Sequence, residues 1–475
     1  MNTTAHGFKE RSVKALQNTT LQEALARAYG GFVHKRQAAI DALPEFDALC
    51  EQARRIKDHA LDHLDHYLEG FEAALTAEGG KVHWARTPEE ACQQVVAICR
   101  AHQARRITKG KSMVGEEIAL NEALEANGFE VVETDLGEYI IQLAKEPPSH
   151  IIAPAVHKTR GEIAQLFHTF HQRIERSQPL AEVPDIVEES RQVLRSVFLS
   201  ADVGITGANF LVAETGSVVL VTNEGNGDLV STLPPVHIVV SSIEKVVPTL
   251  EDVTTLLRVL GRSATGQAMT AYTSLLTGPR RADDRDGPSA MHVVLVDNGR
   301  SAMLGTAFRD MLRCIRCGAC LNHCPVYGAI GGHAYGWVYP GPMGAILTPR
   351  ILGLRAAPDL PQACTLNGRC QDVCPVHIPL PALLRKLRME AFTQRITPPR
   401  ARFPLALWAL LAKHPRLYHG VMTLAAGLLG RLGQRRGRFR TLPFARGWTE
   451  GRALPTPAVQ TFQSCWKHRR RSDPS

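Results

Sequence analysis

Seven cysteines between positions 314 and 374 are the residues of this chain best suited to chemistry. Cys314, Cys317, Cys320 and Cys324 stand in the spacing C-x2-C-x2-C-x3-C and are followed by Pro325, the run with which bacterial two-cluster ferredoxins hold iron-sulfur clusters. Three thiolates, each two residues from the next, let a short loop wrap one cubane with backbone N–H groups turned toward the sulfurs. Gly318 eases that wrap, and Pro325 turns the fourth thiolate toward another cluster.

The second group, Cys364, Cys370 and Cys374 with Pro375, would repeat the run if position 367 were cysteine, but the sequence reads C-T-L-N-G-R-C and places Asn367 there. With fourth ligands exchanged, Cys314, Cys317, Cys320 and Cys374 bind a first [4Fe-4S] cluster, and Cys324, Cys364 and Cys370 hold the second site. An amide oxygen is a poor ligand for iron that prefers thiolate. The second site is therefore a [3Fe-4S] cluster, a [4Fe-4S] cluster with one labile iron, or a cluster completed by a non-cysteine ligand from elsewhere. Zinc wants four ligands as two separated pairs and would leave thiolates unused. Cys92 and Cys99, seven apart on one helix face, and Cys50, in an amphipathic helix, read as buried packing; Cys465 has no assigned role.

Other polar candidates are weaker. Glu214 lies at a turn between two apolar strands, where a carboxylate could act as a nucleophile or, more commonly, bond to backbone. Asn223, Glu224, Gly225, Asn226 and Gly227 form a glycine-rich loop able to bind an anion, or an ordinary hairpin turn. His157 and Lys158 follow an expected strand end at Ala153-Pro154, and Lys109 and Lys111 occupy a similar place; ligands bind at such ends in open α/β sheets, although solvated lysines are commoner. No G-x-G-x-x-G after a strand, no P-loop and no metal-hydrolase helix motif is present, so nucleotide-bound flavin or nicotinamide chemistry is not signalled. Between the cysteine groups, Gly331, His333, Tyr335, Trp337 and Tyr339 read as a shield over a cluster or a docking surface for a redox partner.

The elements that must position these residues follow from periodicity. Residues 1–80 read as a helical lead-in, with Phe46, Cys50, Ile56, Leu61, Leu64, Tyr67 and Phe71 at helical spacing before Gly79-Gly80. From 81 to 300, apolar runs alternate with amphipathic helices expected near 88–103, 115–127 and 183–199, with strands at 129–133 and 151–154. That pattern predicts an α/β domain with a largely parallel sheet. Short runs at 210–213, 217–222 and 236–240 predict a mixed sheet. Residues 301–395 are an α-helical dicluster ferredoxin-like domain framed by helices at 302–313 and 380–392. Residues 396–475 are a separate basic segment with helices at 403–412 and 418–432.

Composition sets the class. At 475 residues, 44% hydrophobic and 21% charged, the chain is expected to fold into two or three domains. The first 40 residues show no apolar run after a basic start, and the longest apolar stretch, Phe403 to Ala412, is half what a membrane span needs. A cytoplasmic protein whose thiolates bind metal is the expectation. The net charge of +9 arises in the tail, where residues 400–475 hold 15 Lys and Arg against Glu450 and Asp473. Arg435, Arg436, Arg438, Arg440 and Arg469 to Arg471 accompany no nucleic-acid module, so docking to a protein partner or peripherally to the anionic inner face of the membrane is preferred over nucleic acid.

The sequence resembles the lactate-utilization protein B family, the iron-sulfur subunit of a bacterial L-lactate oxidation system, over nearly its whole length. The resemblance rests on L-R-C-I-R-C-G-A-C-L-N-H-C-P-V-Y at 312–327, T-G-A-N-F-L-V-A-E-T-G-S at 206–217 and V-T-N-E-G-N-G-D-L-V-S-T-L-P-P-V-H at 221–237, with V-E-T-D-L-G-E-Y-I at 132–140 and V-D-N-G-R-S at 296–301. It implies a lactate-utilization-type α/β domain similar to sugar-phosphate isomerase and coenzyme A transferase folds, a dicluster ferredoxin domain and a family-specific C-terminal segment. It implies a cysteine-rich partner subunit, a partner carrying a second lactate-utilization-type domain, and an electron acceptor that the sequence does not name. On that resemblance the chain carries electrons while the set oxidises L-lactate to pyruvate, and is a component of the dehydrogenase rather than its catalytic subunit. The alternative is a transferase or isomerase in which the clusters are regulatory or structural.

Overall fold

Strands buried on both faces read as near-continuous apolar runs, and two such runs, each interrupted by one histidine, lie side by side in the larger sheet. The computed structural model describes residues 3–172, 174, 180–442, 449 and 451–472, in two units, Met1–Ala391 and Phe392–Ser475. In the first, the strands are β1 (Lys81–Ala85), β2 (Arg106–Lys109), β3 (Glu130–Glu133), β4 (Val203–Thr206), β5 (Phe210–Val212), β6 (Ser217–Thr222), β7 (Val236–Ser242), β8 (Val246–Val247), β9 (Tyr272–Leu276) and β10 (Ala290–Val296). A six-stranded sheet runs β1-β10-β7-β4-β2-β3 with every pair parallel. Its central strands carry the buried runs Val236 to Val240 and Met291 to Val296. The helix Pro88–Ala101 links β1 to β2; it starts with proline in its first turn and the Thr87 hydroxyl accepting from Glu90 N–H, both common at helix starts.

The second sheet, β8-β5-β6-β9, is mixed: β5 pairs with β8 in parallel and with β6 antiparallel, and β6 pairs antiparallel with β9. Three expectations change. Ile151–Pro154 is a bend rather than a strand, and its carbonyls are taken by side chains and loop amides, such as Lys111 Nζ on Ile152 O. The helix expected at 115–127 is two helices, Met113–Glu117 and Leu120–Ala126, broken at Ala119 with φ 58°. The helix expected at 302–313 is Ser301–Leu304 followed by a 3-10 turn, Arg309–Arg313, after a break at Gly305-Thr306.

The four N-terminal helices, Phe8–Gln17, Thr19–Asp41, Phe46–Asp62 and Leu64–Ala77, do not simply lead in. Phe8, Leu25, Phe46 and Leu49 share one apolar core with Leu321, Tyr335, Ile346 and Val376 of the cysteine region. Thr4 N–H donates to Gly336 O, Gln22 to Ala329 O, and buried Arg36 to Val373 O.

In the second unit, helices Pro399–Ala412 and Pro415–Gly433 pack together, a two-residue antiparallel ladder joins Arg438–Phe439 to Leu454–Pro455, and Phe462–Ser472 closes the described chain. Phe403 and Trp408 are exposed, as are Arg435, Arg436, Arg438 and Arg440; the side chains of Arg470 and Arg471 lie outside the described residues. Among the described residues no helix is long and apolar enough to cross a membrane.

Candidate iron-sulfur centre and the cavity beside it

The two cysteine groups are built on one backbone pattern. After Cys314, Arg316 takes φ 58° and Gly318 φ 72°, and the short helix Ala319–Asn322 leads to Cys324-Pro325. After Cys364, Leu366 takes φ 58° and Gly368 φ 90°, and Arg369–Asp372 leads to Cys374-Pro375. Glycine removes the steric cost of positive φ at the second position of each loop, while Arg316 and Leu366 bear it at the first. Asn367 stands where Cys317 stands in the first loop. Cys317 is buried, whereas Asn367 is exposed and its Oδ1 accepts from Arg369 N–H at 3.2 Å.

The sulfurs sort into two neighbouring sets. Cys317 lies in the field of Cys374 and Cys314, and Cys374 in that of Cys314. Cys324 neighbours Cys364, and Cys370 neighbours Cys364 and Cys324. Cys320 senses Cys314, Cys317, Cys374 and also Cys370, so the sets stand side by side. Burial pushes the thiols of Cys317, Cys320, Cys324, Cys370 and Cys374 up, to about 12 for Cys370 and about 11 for Cys374. A metal centre here must therefore release protons as the thiolates ligate.

All seven cysteines are free of disulfides. Backbone N–H groups of Tyr327, Leu366 and Ile378 donate to Cys324, Cys364 and Cys374 Sγ at 3.4, 3.2 and 3.4 Å. Among the described residues no three cysteine sulfurs come within 4.8 Å of one another, wider than the roughly 3.8 Å separation set by tetrahedral Zn–S bonds. Soft thiolates and inward-turned amides fit iron-sulfur clusters. Of the residues between the groups, Tyr335, Tyr339 and Trp337 are buried, which favours shielding over a docking surface.

A buried ionic bridge joins the cysteine region to the sheets. Arg300, on the loop after β10, pairs with Glu117 at 2.7 Å and Glu244 at 2.8 Å. Tyr339 donates to Glu117 at 2.6 Å, and Arg316, inside the first cysteine loop, reaches Glu244 at 3.2 Å. Burial would raise the Glu244 carboxyl, but Arg300 and Arg316 outweigh it and hold it at about 2. Lys57 donates to Glu244 O, and burial brings Lys57 and Lys245 down to about 8.

Arg316 also lines a cavity of about 560 Å³ at the C-terminal ends of β2 and β4, where open α/β sheets bind ligands. Lys111, Lys245, Asn209, Asn226 and Glu224 contribute polar groups, and Leu136, Ile140, Ile152, Val156, Leu220 and Leu260 much of the apolar wall. Lys245 donates to Ala208 O at 2.7 Å, and burial lowers Lys111.

The sequence candidates fall in different places. Lys111, Asn223, Glu224, Asn226 and Gly227 line this cavity, although the loop leads into the helix Asn226–Thr232 rather than a hairpin. Lys109 is no surface lysine: it is fully buried between Glu116 and Glu133 at 2.9 and 2.5 Å. His157 and Lys158 both engage Glu146, at 2.7 and 2.6 Å. Glu214 is exposed, its Oε2 accepting from Leu250 N–H at 3.0 Å, and it is not among the cavity's lining residues. Cys50, Cys92 and Cys99 are buried, whereas Cys465 is exposed. Sequence reading missed Arg316, Lys245 and Asn209. An arginine between two cysteine ligands was the available signal.

Comparison with known proteins agrees with this architecture. The LUD domain family matches residues 68–296 and the 4Fe-4S dicluster domain family residues 310–378. The chain is 42% identical to the Uncharacterized electron transport protein YkgF of Escherichia coli K12, over 97% of this chain and 96% of that protein. It is 42% identical to Lactate utilization protein B of Bacillus pumilus, over 99% and 98%, and 40% identical to that of Lysinibacillus sphaericus, over 100% and 99%. With a LUD domain, a dicluster domain and full-length relatives at this level, the chain belongs to the lactate utilization protein B family.

Proposed function

We propose that this chain is the electron-carrying iron-sulfur subunit of a multi-subunit system that oxidises L-lactate to pyruvate and supports growth on L-lactate. The observation that carries the reading is the pair of cysteine loops with one backbone pattern and side-by-side sulfurs. The relatives' names, one speaking of electron transport and others of lactate utilization, supply the context.

Cys314, Cys317, Cys320 and Cys374 would hold a [4Fe-4S] cluster; Cys324, Cys364 and Cys370 would hold a second cluster, [3Fe-4S] or [4Fe-4S], open at Asn367. When bound, these clusters supply one-electron transfer. The chain's own residues exclude water with buried aromatics, donate N–H groups to sulfur and surround the first loop with arginines. Domains at 81–300 and 301–395, with helical and basic flanks at 1–80 and 396–475, are part of the reading, as is kinship of the α/β domain with sugar-phosphate isomerase and coenzyme A transferase folds. The partners are a cysteine-rich subunit and a second LUD-type subunit, the chain is cytoplasmic, and its basic segment docks to a partner or to the inner membrane face.

Anaerobically purified chain should be brown, contain about seven to eight irons and show cluster signals by electron paramagnetic resonance. L-lactate should reduce those clusters only with the partner subunits added. Colourless or zinc-bearing protein overturns the reading, and reduction by lactate of the isolated chain moves catalysis into this subunit.

A further inference from the structure

Glu146, His157 and His333 stand together apart from the cysteines and from the lining of the cavity. One ring nitrogen of each histidine and one oxygen of Glu146 lie within 4.8 Å of one another, and among the described residues no other three histidine, cysteine, aspartate or glutamate side chains do so. The fold brings them from two segments. Glu146 and His157 bracket a stretch that follows the helix Leu136–Ala144, and His333 lies between the cysteine groups. Tyr327 donates to Ser149 O at 2.9 Å, and Gly332 sits so tightly on that carbonyl that a Cβ there would lie 1.8 Å from it. A contact that only glycine permits therefore holds His333 beside this stretch, with its ring centroid 4.4 Å from that of His157.

The hydrogen bonds fix where the lone pairs are. A carbonyl can only accept, so His333 donates from Nε2 to Pro147 O at 2.8 Å and keeps its lone pair on Nδ1. Burial lowers both imidazoles, so each is neutral at pH 7. Burial would raise the Glu146 carboxyl, but Lys158 and His157 outweigh it and keep it ionised. Lys158 takes Oε1 at 2.6 Å, and His157 Nε2 donates to Oε2 at 2.7 Å. His157 Nδ1 is buried and has no protein partner, so the ring proton can pass to it and free Nε2 without breaking a bond. A backbone carbonyl that orients an imidazole and a second carboxylate oxygen that is itself hydrogen-bonded are the outer contacts that metal ligands carry.

We propose that Glu146, His157 and His333 bind one divalent transition-metal ion of the zinc class. Two imidazoles and a carboxylate supply three ligands and leave a fourth position to water. The ion takes the place of the hydrogen between His157 Nε2 and Glu146 Oε2, which part from 2.7 Å to the roughly 3.3 Å set by tetrahedral bonds of about 2.0–2.1 Å. It pins the stretch whose Ile152 to Val156 wall the cavity to the cysteine region. Lys158, sharing Glu146, opposes the ion's charge and weakens its binding.

The test is zinc titration of anaerobically purified full-length chain, with iron content and zinc X-ray absorption measured on the same sample. One zinc per chain is expected at micromolar free zinc, with nitrogen and oxygen at about 2.0–2.1 Å and no sulfur near 2.3 Å. His333→Gln should weaken binding by tenfold or more at unchanged iron content, and Lys158→Met should tighten it about tenfold by removing the opposing charge. His333→Gln decides if it keeps its iron, and Lys158→Met decides if it does not. No bound zinc, a sulfur shell at intact iron content, or affinity unmoved by the deciding variant overturns the inference; the three side chains then form an ion-pair network between two loops and nothing more. The electron-carrier reading stands or falls separately, on iron content and partner-dependent reduction.

Discussion

One side chain separates the two cysteine loops: Asn367 holds in the second the backbone place that Cys317 holds in the first. Its amide is exposed and bonded to its own loop, so the second cluster would lack a thiolate on its solvent side. After mild oxidation, the parent chain should retain about seven irons and the Asn367→Cys variant about eight, with a changed paramagnetic signal from the second site. Identical iron and identical spectra would place residue 367 away from the cluster. At this scale the cysteines were legible because their spacing is itself the ligand geometry. Arg316, Lys245 and Asn209 were not, because their role depends on which sheet ends face them, a tertiary fact that spacing does not carry.

Among the elements, the loop after β10 bears the heaviest burden. Arg300 is fully buried and holds together Glu117 on one short helix and Glu244 on the turn beside the first cysteine loop. Arg300→Met would strand two buried carboxylates, and removal of one partner from such a bridge costs about 3–5 kcal/mol; urea unfolding should show that loss, and iron should be lost at lower denaturant. A loss under 1 kcal/mol would mean that Tyr339 and Arg316 suffice. Of the strands buried on both faces, Ser217–Thr222 and Val236–Ser242 were legible as apolar runs, whereas Val203–Thr206 and Ala290–Val296 were not picked out. β1 and β9 were not, since Lys81–Ala85 and Tyr272–Leu276 are mostly exposed or half-buried edge strands whose pairing rather than composition makes them strands. Ile151–Pro154 misled for the converse reason: its isoleucines pack as a bend on the cysteine core and the cavity wall.

For the whole molecule, stability should fall with acid. Burial lowers His237, bonded to Thr206 Oγ1, to about 3, and burial together with Lys111 lowers His150 to about 4. An unfolded histidine titrates near 6.5, so between that pH and the folded value the unfolded chain binds more protons and stability drops as pH falls. Each contributes up to roughly 1.4 kcal/mol per pH unit, full above pH 6.5 and lost progressively below it. Unfolding free energies measured from pH 7.5 to 5 should show this slope, and His237→Gln should remove one histidine's share. The N-terminal helices were legible as helices, but their destination was not: Thr4 meets Gly336, Gln22 meets Ala329 and Arg36 meets Val373. At roughly 5–20 residues per second of synthesis, those partners leave the ribosome about 15 to 70 s after the segments they receive. The opening helices must wait undocked on the nascent chain until the thiols have emerged, which gives the cell an interval in which iron can be delivered before the door shuts.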